Sequence, residues 1–262
     1  MSVKWIVTAA ALLLAPLQSA WAADLPVKAP ATKPATAFDW SGFFVGGNVG
    51  YGWASDADPS HSLIDSSGSG LTAFFNAGGF PVGADNPNGI TGGVQAGYNW
   101  QNSALVWGLV ADFQASGMQE ESSFASGAPA PPFVTGTTTL DRKVDWFGTL
   151  RGKAGWAMQD WLFYGTAGLA YGHIKENMTF ASSGVASASG SNTQTKVGWT
   201  VGAGLAYGWD RWSVGIEYLY IDLGRTDATM TFAGYPGAGG DSFTASSRNN
   251  LNIVRGLVNY RF

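Results

Sequence analysis

No cysteine occurs in the 262 residues, which rules out a disulfide framework and leaves stability to the packing of regular structure. Charge is scarce as well. Asp, Glu, Lys and Arg make up 12% of the chain, about half the fraction that a water-soluble globule usually carries. The balance of 14 Lys and Arg against 18 Asp and Glu is acidic, and no basic block occurs anywhere, which argues against nucleic acid as a partner. Long apolar runs are missing beyond residue 22, so no later segment crosses a bilayer as a helix, which takes about 20 apolar residues. What is present instead is 37 glycines, 15 phenylalanines and 12 tryptophans.

The one apolar run lies at the start. Lys4 precedes the stretch from Ile6 to Leu17, and Ala20-Trp21-Ala22 supplies the small-x-small pattern that signal peptidase cleaves. The stretch is too short for a spanning helix, so residues 1–22 read as a secretory signal rather than a membrane anchor. Its removal leaves 240 residues, takes away one lysine and brings the net charge to −5. Residues 23–38 carry three prolines among alanines. Such a segment resists strand pairing and reads as an extended periplasmic linker or a disordered leader. Residues 39–262 then form one domain, a size common for single β-barrels.

From Ser41 onward eight stretches alternate with period two, so each splits into two faces. In residues 196–209 one face reads Val197, Trp199, Val201, Ala203, Leu205, Tyr207, Trp209. The other reads Lys196, Gly198, Thr200, Gly202, Gly204, Ala206, Gly208. Residues 42–54, 89–102, 105–114, 144–156, 161–171, 212–220 and 254–262 sort in the same way. Eight charged residues, Asp112, Asp145, Arg151, Lys153, Lys196, Glu217, Arg255 and Arg261, all fall on the non-apolar face. A charge facing hydrocarbon near the midplane costs about 2–4 kcal/mol, so lipid contact produces this sorting.

A soluble, lipocalin-like barrel would turn the bulky face inward. That many tryptophans would overfill an eight-stranded interior, which only just accommodates side chains. The rings therefore belong outside, and the fold expected is an all-β, transmembrane, antiparallel up-and-down barrel of eight strands. Tight turns fall near Asn102-Ser103, across residues 158–160 and at Asp210-Arg211, whereas the connections at 55–88, 118–143, 174–194 and 225–248 are long. Alternation of short periplasmic turns with long extracellular loops is the plan of outer-membrane barrels. Trp100, Trp156, Trp161, Trp209 and Trp212, with Tyr260 and Phe262, lie near the short turns or the C-terminus. Tyr51, Trp53, Trp146, Tyr171, Trp199 and Tyr220 lie toward the long connections. Two aromatic girdles result, at the two interfaces where amphipathic rings are favoured.

The opening Asp39-Trp40-Ser41-Gly42-Phe43-Phe44-Val45-Gly46-Gly47-Asn48-Val49-Gly50-Tyr51 resembles the first strand of a known group. These are the small outer-membrane proteins of α-proteobacteria, including the outer-membrane immunogenic and haemin-binding proteins of the opacity/porin-like superfamily. Trp146-Phe147-Gly148-Thr149-Leu150-Arg151, residues 217–224 and the closing Asn259-Tyr260-Arg261-Phe262 are similar too. The resemblance covers the signal, linker and strands but not the loops, and Arg255-Gly256-Leu257-Val258 departs from the family's usual order. It implies a surface-exposed, antigenic envelope protein of a Gram-negative outer membrane. It also implies that Val258, Tyr260 and Phe262 form the C-terminal signal read by the outer-membrane assembly machinery.

Arg151, Glu217 and Arg255 each lie seven residues from a short turn or the C-terminus, and Asp112 lies nine above its own turn. These four are expected to meet in mid-lumen, Asp112 with Arg151 and Glu217 with Arg255, in a network that also takes in Lys153 and Lys196. Buried ions need such partners. The network reads as a plug; its alternative is a charge-lined channel. Neither His61 nor His173 has an acid and a serine at an obvious partner position, so no hydrolytic triad is signalled. Asp56, Asp58 and His61 are too loose a cluster for metal. No cofactor is expected. Haem binding, suggested by the resemblance alone, would have to use His61 or His173. The function expected is a structural and surface-interaction role in the envelope. A passive porin-like channel is the alternative, and a barrel enzyme has the least support. Outer-membrane lipid, lipopolysaccharide and the assembly machinery are the expected partners, with the loops open to host or surface ligands. The exposed aromatic face suits lipid and a neighbouring barrel equally, which leaves the oligomeric state open.

Overall fold

The computed structural model describes residues 37–55, 60–64, 86–127, 135–182, 187–233 and 242–262. The signal peptide read at residues 1–22 and the linker up to residue 36 lie outside them. The alternating stretches form strands β1 (Gly42–Ser55), β2 (Ser60–Ile64), β3 (Asn88–Asn102), β4 (Leu105–Gly127), β5 (Thr135–Met158), β6 (Trp161–Ser182), β7 (Ser187–Trp209), β8 (Trp212–Ala233) and β9 (Ser242–Arg261). β3 pairs with β1, and from there each strand pairs antiparallel with the one before it. β1 returns to β9, from Phe44 opposite Arg261 to Ser55 opposite Asn250, and closes the sheet. The short β2 meets β9 beyond the end of β1. It prolongs the same stave, so the cylinder has eight. Where β1 to β9 pair all the way round, closure leaves no free edge, which is the condition for strands in hydrocarbon.

Three two-residue turns join β3 to β4, β5 to β6 and β7 to β8. Each opens on a residue in the left-handed region, with φ of 55° at Ser103, 55° at Gln159 and 51° at Asp210. Asn and Asp tolerate that region best among residues with a side chain, and glycine is absent from all three turns. The faces sort as the period-two pattern requires. Val197, Ile90 and Leu109 point outward and are exposed, while Thr91, Gln114 and Thr200 face inward and are buried. Trp100 and Trp107 stack with ring centroids 4.4 Å apart, and Trp161 lies 5.0 Å from Tyr207, building one outward girdle at the short-turn end. Trp199 and Tyr220, 5.4 Å apart, belong to the other.

Two sequence expectations fail here for one reason. The alternation of residues 144–156 puts Val144 on the outward face and Asp145 in the lumen, yet Val144 is fully buried inside and Asp145 pairs outward with Lys143 and Lys175. A bulge causes the exchange. Ser116 and Gly117 of β4 face Asp145 alone, between the pairs Ala115–Trp146 and Met118–Val144. The extra residue shifts the alternation of β5, so its even positions point inward above the bulge and its odd positions below. A further irregularity between Asp222 and Arg225, where Gly224 has φ of 77°, shifts β8 in the same way.

The connections expected to be loops at 118–143, 174–194 and 225–248 are largely strand. β4 and β5 stay paired to Gly127 opposite Thr135, β6 and β7 to Ala181 opposite Ser187, and β8 and β9 to Thr231 opposite Ser242. These hairpins project past the second girdle, where neither face meets hydrocarbon. Thr137, Thr138 and Thr139 on β5 and Ser187, Ser189 and Ser191 on β7 leave those segments without an apolar face, whereas Met178 and Phe180 on β6 still alternate with Thr179, so the period that marks a half-buried strand is weakened. Most of the connection at 55–88 lies outside the described residues.

Leu150 sits on the lipid-facing wall of β5, four residues from Trp146 and six from Trp156 of the two girdles. Leu150→Arg is expected to lower the folding free energy into phosphatidylcholine vesicles by about 2–4 kcal/mol, as measured by urea titration of tryptophan fluorescence. An unchanged midpoint would place that face away from lipid.

Candidate functional site

The lumen is filled in layers, and the first lies at the short-turn end. Phe38 and Trp40 turn into the barrel mouth, their rings edge to face at 4.7 Å. The Phe38 amide donates to Asp160 Oδ1 at 3.1 Å and the Trp40 amide to Gln101 Oε1 at 2.7 Å. The Arg261 guanidinium lies 5.0 Å over the Phe38 ring, and its Nη1 donates to the Ser41 carbonyl at 3.0 Å. A methyl group on Gly208 would stand 2.5 Å from the Phe38 ring, so only glycine leaves room for it there. Phe38, expected to end the linker, is thus part of the barrel floor with Val106, Leu162, Tyr164 and Ala206. Asp39 remains outside. The Ser41 amide donates to its Oδ1 at 2.9 Å and, with the Arg261 guanidinium 3.5 Å away, holds its carboxyl below the usual carboxylate range.

Above the floor stands a ring of four charges contributed by β4, β5, β8 and β9. Arg151 Nη2 is 2.9 Å from Asp112 Oδ2, and Arg151 Nη1 is 2.9 Å from Glu217 Oε1. Arg255 Nη2 lies 3.1 Å from Asp112 Oδ2 and 2.6 Å from Glu217 Oε2, and its Nε donates to the same Oε2 at 2.9 Å. Each arginine therefore bridges both acids, and the ring is neutral. Thr149 Oγ1 donates to Asp112 Oδ2 at 2.7 Å while accepting from Arg151 Nε at 2.9 Å, and Thr166 Oγ1 accepts from Arg151 Nη1 at 2.9 Å. Asp112 Oδ2 is the hub, taking three donors. All four charged side chains are almost fully buried, Arg151 to 1% exposure. The planar fork of arginine suits such double bridging, which lysine could not provide.

Lys153 does not join the ring. Its ammonium lies on the floor side, 4.9 Å from the centroid of Phe44 and 5.2 Å from that of Tyr164, within reach of both π faces. It lines, with Trp40, Phe44, Tyr164 and Glu217, a cavity of about 40 Å³ between floor and ring, which has space for a few water molecules. Lys196 is further away. It sits eight residues out from Gly204, the partner of Glu217, which is about 26 Å along a strand. Its Nζ donates to the Arg225 carbonyl at 3.1 Å instead.

Two further layers lie beyond the ring. The first is apolar: Met118, Val144, Phe147, Ile174, Leu219, Ile221, Leu223, Leu251 and Ile253 are buried together as one cluster. The second is a buried pair, Arg142 Nε and Glu176 Oε1 at 3.3 Å, with Arg142 Nη2 donating to Asn249 Oδ1. Asn249 Nδ2 donates in turn to Thr226 Oγ1 at 2.7 Å. One signal for the apolar layer was present, since Leu219, Ile221, Leu223, Leu251 and Ile253 interrupt an otherwise small and polar face. Arg142 was hidden, because the bulge beyond it reverses the count.

The girdle residues Trp100, Trp156, Trp161, Trp209 and Trp212 all point outward, as do Val258 and Phe262. Phe262 packs against Phe43 and Tyr260 at 5.8 and 5.2 Å. His173 faces outward and stacks on Trp146 at 5.5 Å, away from the lumen. His61 falls in β2, and its side chain lies outside the described ones. Among the described residues no three of His, Asp and Glu converge as a metal site.

Residues 7–262 match the family described as outer membrane protein beta-barrel domain. The 31 kDa outer-membrane immunogenic protein of Brucella melitensis is 34% identical over 252 residues, covering 93% of this chain and 94% of that one. The 22 kDa outer membrane protein of Rhizobium leguminosarum is 29% identical over 196 residues, covering 74% and 69%. Among solved structures, the outer membrane protein OprG from Pseudomonas aeruginosa matches 85% of this chain and 97% of its own, at 13% identity and a TM-score of 0.42.

Removing one member of the ring leaves an uncompensated buried charge. Arg151→Met is expected to destabilise the folded barrel by about 3–5 kcal/mol, read from urea unfolding in detergent micelles. Adding Glu217→Gln to that variant should recover part of the loss. Independent, additive effects would show that the two side chains are not coupled.

Proposed function

The chain belongs to the outer membrane protein beta-barrel domain family and resides in the outer membrane, and from that premise we propose a closed, non-catalytic barrel that anchors a surface structure in the envelope. What supports this reading is the succession of buried side chains inside the cylinder: the floor, the ion ring and the apolar layer. An eight-stranded interior is barely wide enough for side chains, and here they interdigitate across it. The short turns face the periplasm and the long hairpins stand outside the cell, the arrangement usual for such barrels. The hairpins of β4–β5, β6–β7 and β8–β9 offer the surface-ligand role; the outward Val258, Tyr260 and Phe262 row offers the assembly machinery its C-terminal signal.

The competing reading is a passive channel for small solutes. It requires the ring to part and Phe38 and Trp40 to leave the mouth together, against the Asp160 and Gln101 contacts that hold them. The refolded protein is expected to give no discrete steps in planar-bilayer recordings, and the Trp40→Ala, Arg151→Ala, Glu217→Ala variant to give small leaks. Reproducible openings of the unaltered protein, changed in size by Arg151→Ala or Glu217→Ala, would favour the channel.

Orientation is tested separately, using the lack of native cysteine. Thr137→Cys, on the projecting β5 segment, is expected to react with a membrane-impermeant maleimide on intact cells. Gln159→Cys, in the β5–β6 turn, should react only after the cells are lysed. The reverse pattern would invert the barrel.

A further inference from the structure

The bulge that turns Val144 inward builds a second cluster on the outer wall, apart from the lumen. Lys143 and Lys175 stand directly opposite each other on β5 and β6, both 46% exposed. Like charges in that position repel. Asp145, turned outward at the bulge, lies between them, with Oδ1 3.3 Å from Lys143 Nζ and Oδ2 2.7 Å from Lys175 Nζ. The three together carry a charge of +1. Each ammonium has three donors, and one contact with Asp145 leaves others directed to the surface. Gln119 and Thr193 flank the lysines in the same row, exposed on either side. The next row out, Glu121 opposite Asp141, is acidic, so an anion would be held at the lysines and not beyond them.

On the membrane side of this row lies a compact group of rings. Trp146 stacks on Phe113 at 5.6 Å and on His173 at 5.5 Å, and meets Tyr171 edge to face at 6.2 Å. Tyr171 lies over Gly148, where a side chain would collide with its ring. From Phe113 and Tyr171 an apolar groove follows the wall past Ala96, Gly47 and Val258 to Tyr260 and Trp212. It therefore runs from one girdle to the other. A basic row at head-group depth above an apolar groove fits one kind of occupant.

We propose that the outer wall, from the lysine row on β5 and β6 into the groove that crosses β4, β3, β1 and β9, binds a phosphorylated lipid of the outer leaflet. The phosphate lies against Lys143 and Lys175, the head-group sugar or glycerol over the Trp146 ring cluster, and an acyl chain in the groove. Attraction between basic side chains and anionic lipid at the surface is of the size needed to select such a lipid from neutral ones. The proposal rests on the orientation given above but not on closure of the lumen.

The test uses the full chain refolded in neutral detergent, with diphosphoryl lipid A as probe and native mass spectrometry as readout. The unaltered protein is expected to retain the probe in preference to phosphatidylcholine. Lys143→Gln with Lys175→Gln should weaken retention roughly tenfold or more, with folding verified by the mobility of the unheated band on a gel. Arg225→Gln removes another exposed outer-end cation, on β8, and should leave retention unchanged. Equal retention by the double lysine variant would overturn the proposal. So would a loss of the same size in Arg225→Gln, which would mean general charge attraction. Equal competition by glucosamine phosphate without acyl chains would remove the groove from the site. None of these measurements depends on the maleimide labelling, so failure of the orientation and failure of the site are distinguishable.

Discussion

A strand in hydrocarbon can satisfy its main-chain N–H and C=O groups only on other strands. That constraint forces β1 onto β9, and the rest of the structure follows from the closed cylinder it creates. Eight staves enclose a space that side chains must fill without excess, which explains the division of labour between glycine and aromatic residues on the inner wall. Gly208 leaves the space that the Phe38 ring occupies, and Gly204 does the same for Tyr164, whose ring would stand 2.5 Å from a methyl group there. The bulky residues that cannot fit inside are turned to lipid, where their burial against acyl chains is favourable and where the girdles hold the depth of the barrel.

Charge inside the cylinder obeys a second rule. An ion so placed is separated from bulk water, and the ring of Asp112, Arg151, Glu217 and Arg255 answers by making every member a neighbour of two opposite charges. The arrangement differs from two independent pairs. Because both arginines reach both acids, the ring ties β4 and β5 to β8 and β9 across the lumen. Thr149 and Thr166 add further hydrogen bonds to Asp112 and Arg151 from β5 and β6. A ring of this kind fixes cross-sectional shape in a sheet whose wall is held mainly by hydrogen bonds between adjacent strands.

Bulges give the two ends of the barrel different characters. Below the bulge in β5, the odd positions fill the lumen with Phe147, Thr149, Arg151 and Lys153. Above it, the even positions bring in Val144 and Arg142 and release Asp145 to the outer surface. A single extra residue on the β4 side therefore supplies both part of the apolar layer within and the lysine-flanked carboxylate without.

The eight stretches, their faces, the two girdles and the meeting of the four central charges were legible in the sequence, because lipid outside and a narrow lumen inside impose a period of two on every residue between the girdles. The family resemblance agreed with that reading. The projecting hairpins were not legible, since segments such as Thr137-Thr138-Thr139 and Ser187-Ala188-Ser189-Gly190-Ser191 carry little apolar alternation. Nor was the position of Asp145 or Val144, since a bulge is an error in counting that only the opposite strand reveals. Phe38 carries no mark that tells a linker from a floor, and the cross-links of Arg151 to Glu217 and Arg255 to Asp112 join strands far apart in the chain. Alternation along one strand is a local property that sequence determines by itself. Depth, pairing across the lumen and the reversal of faces are relations between strands, and only the closed sheet decided them.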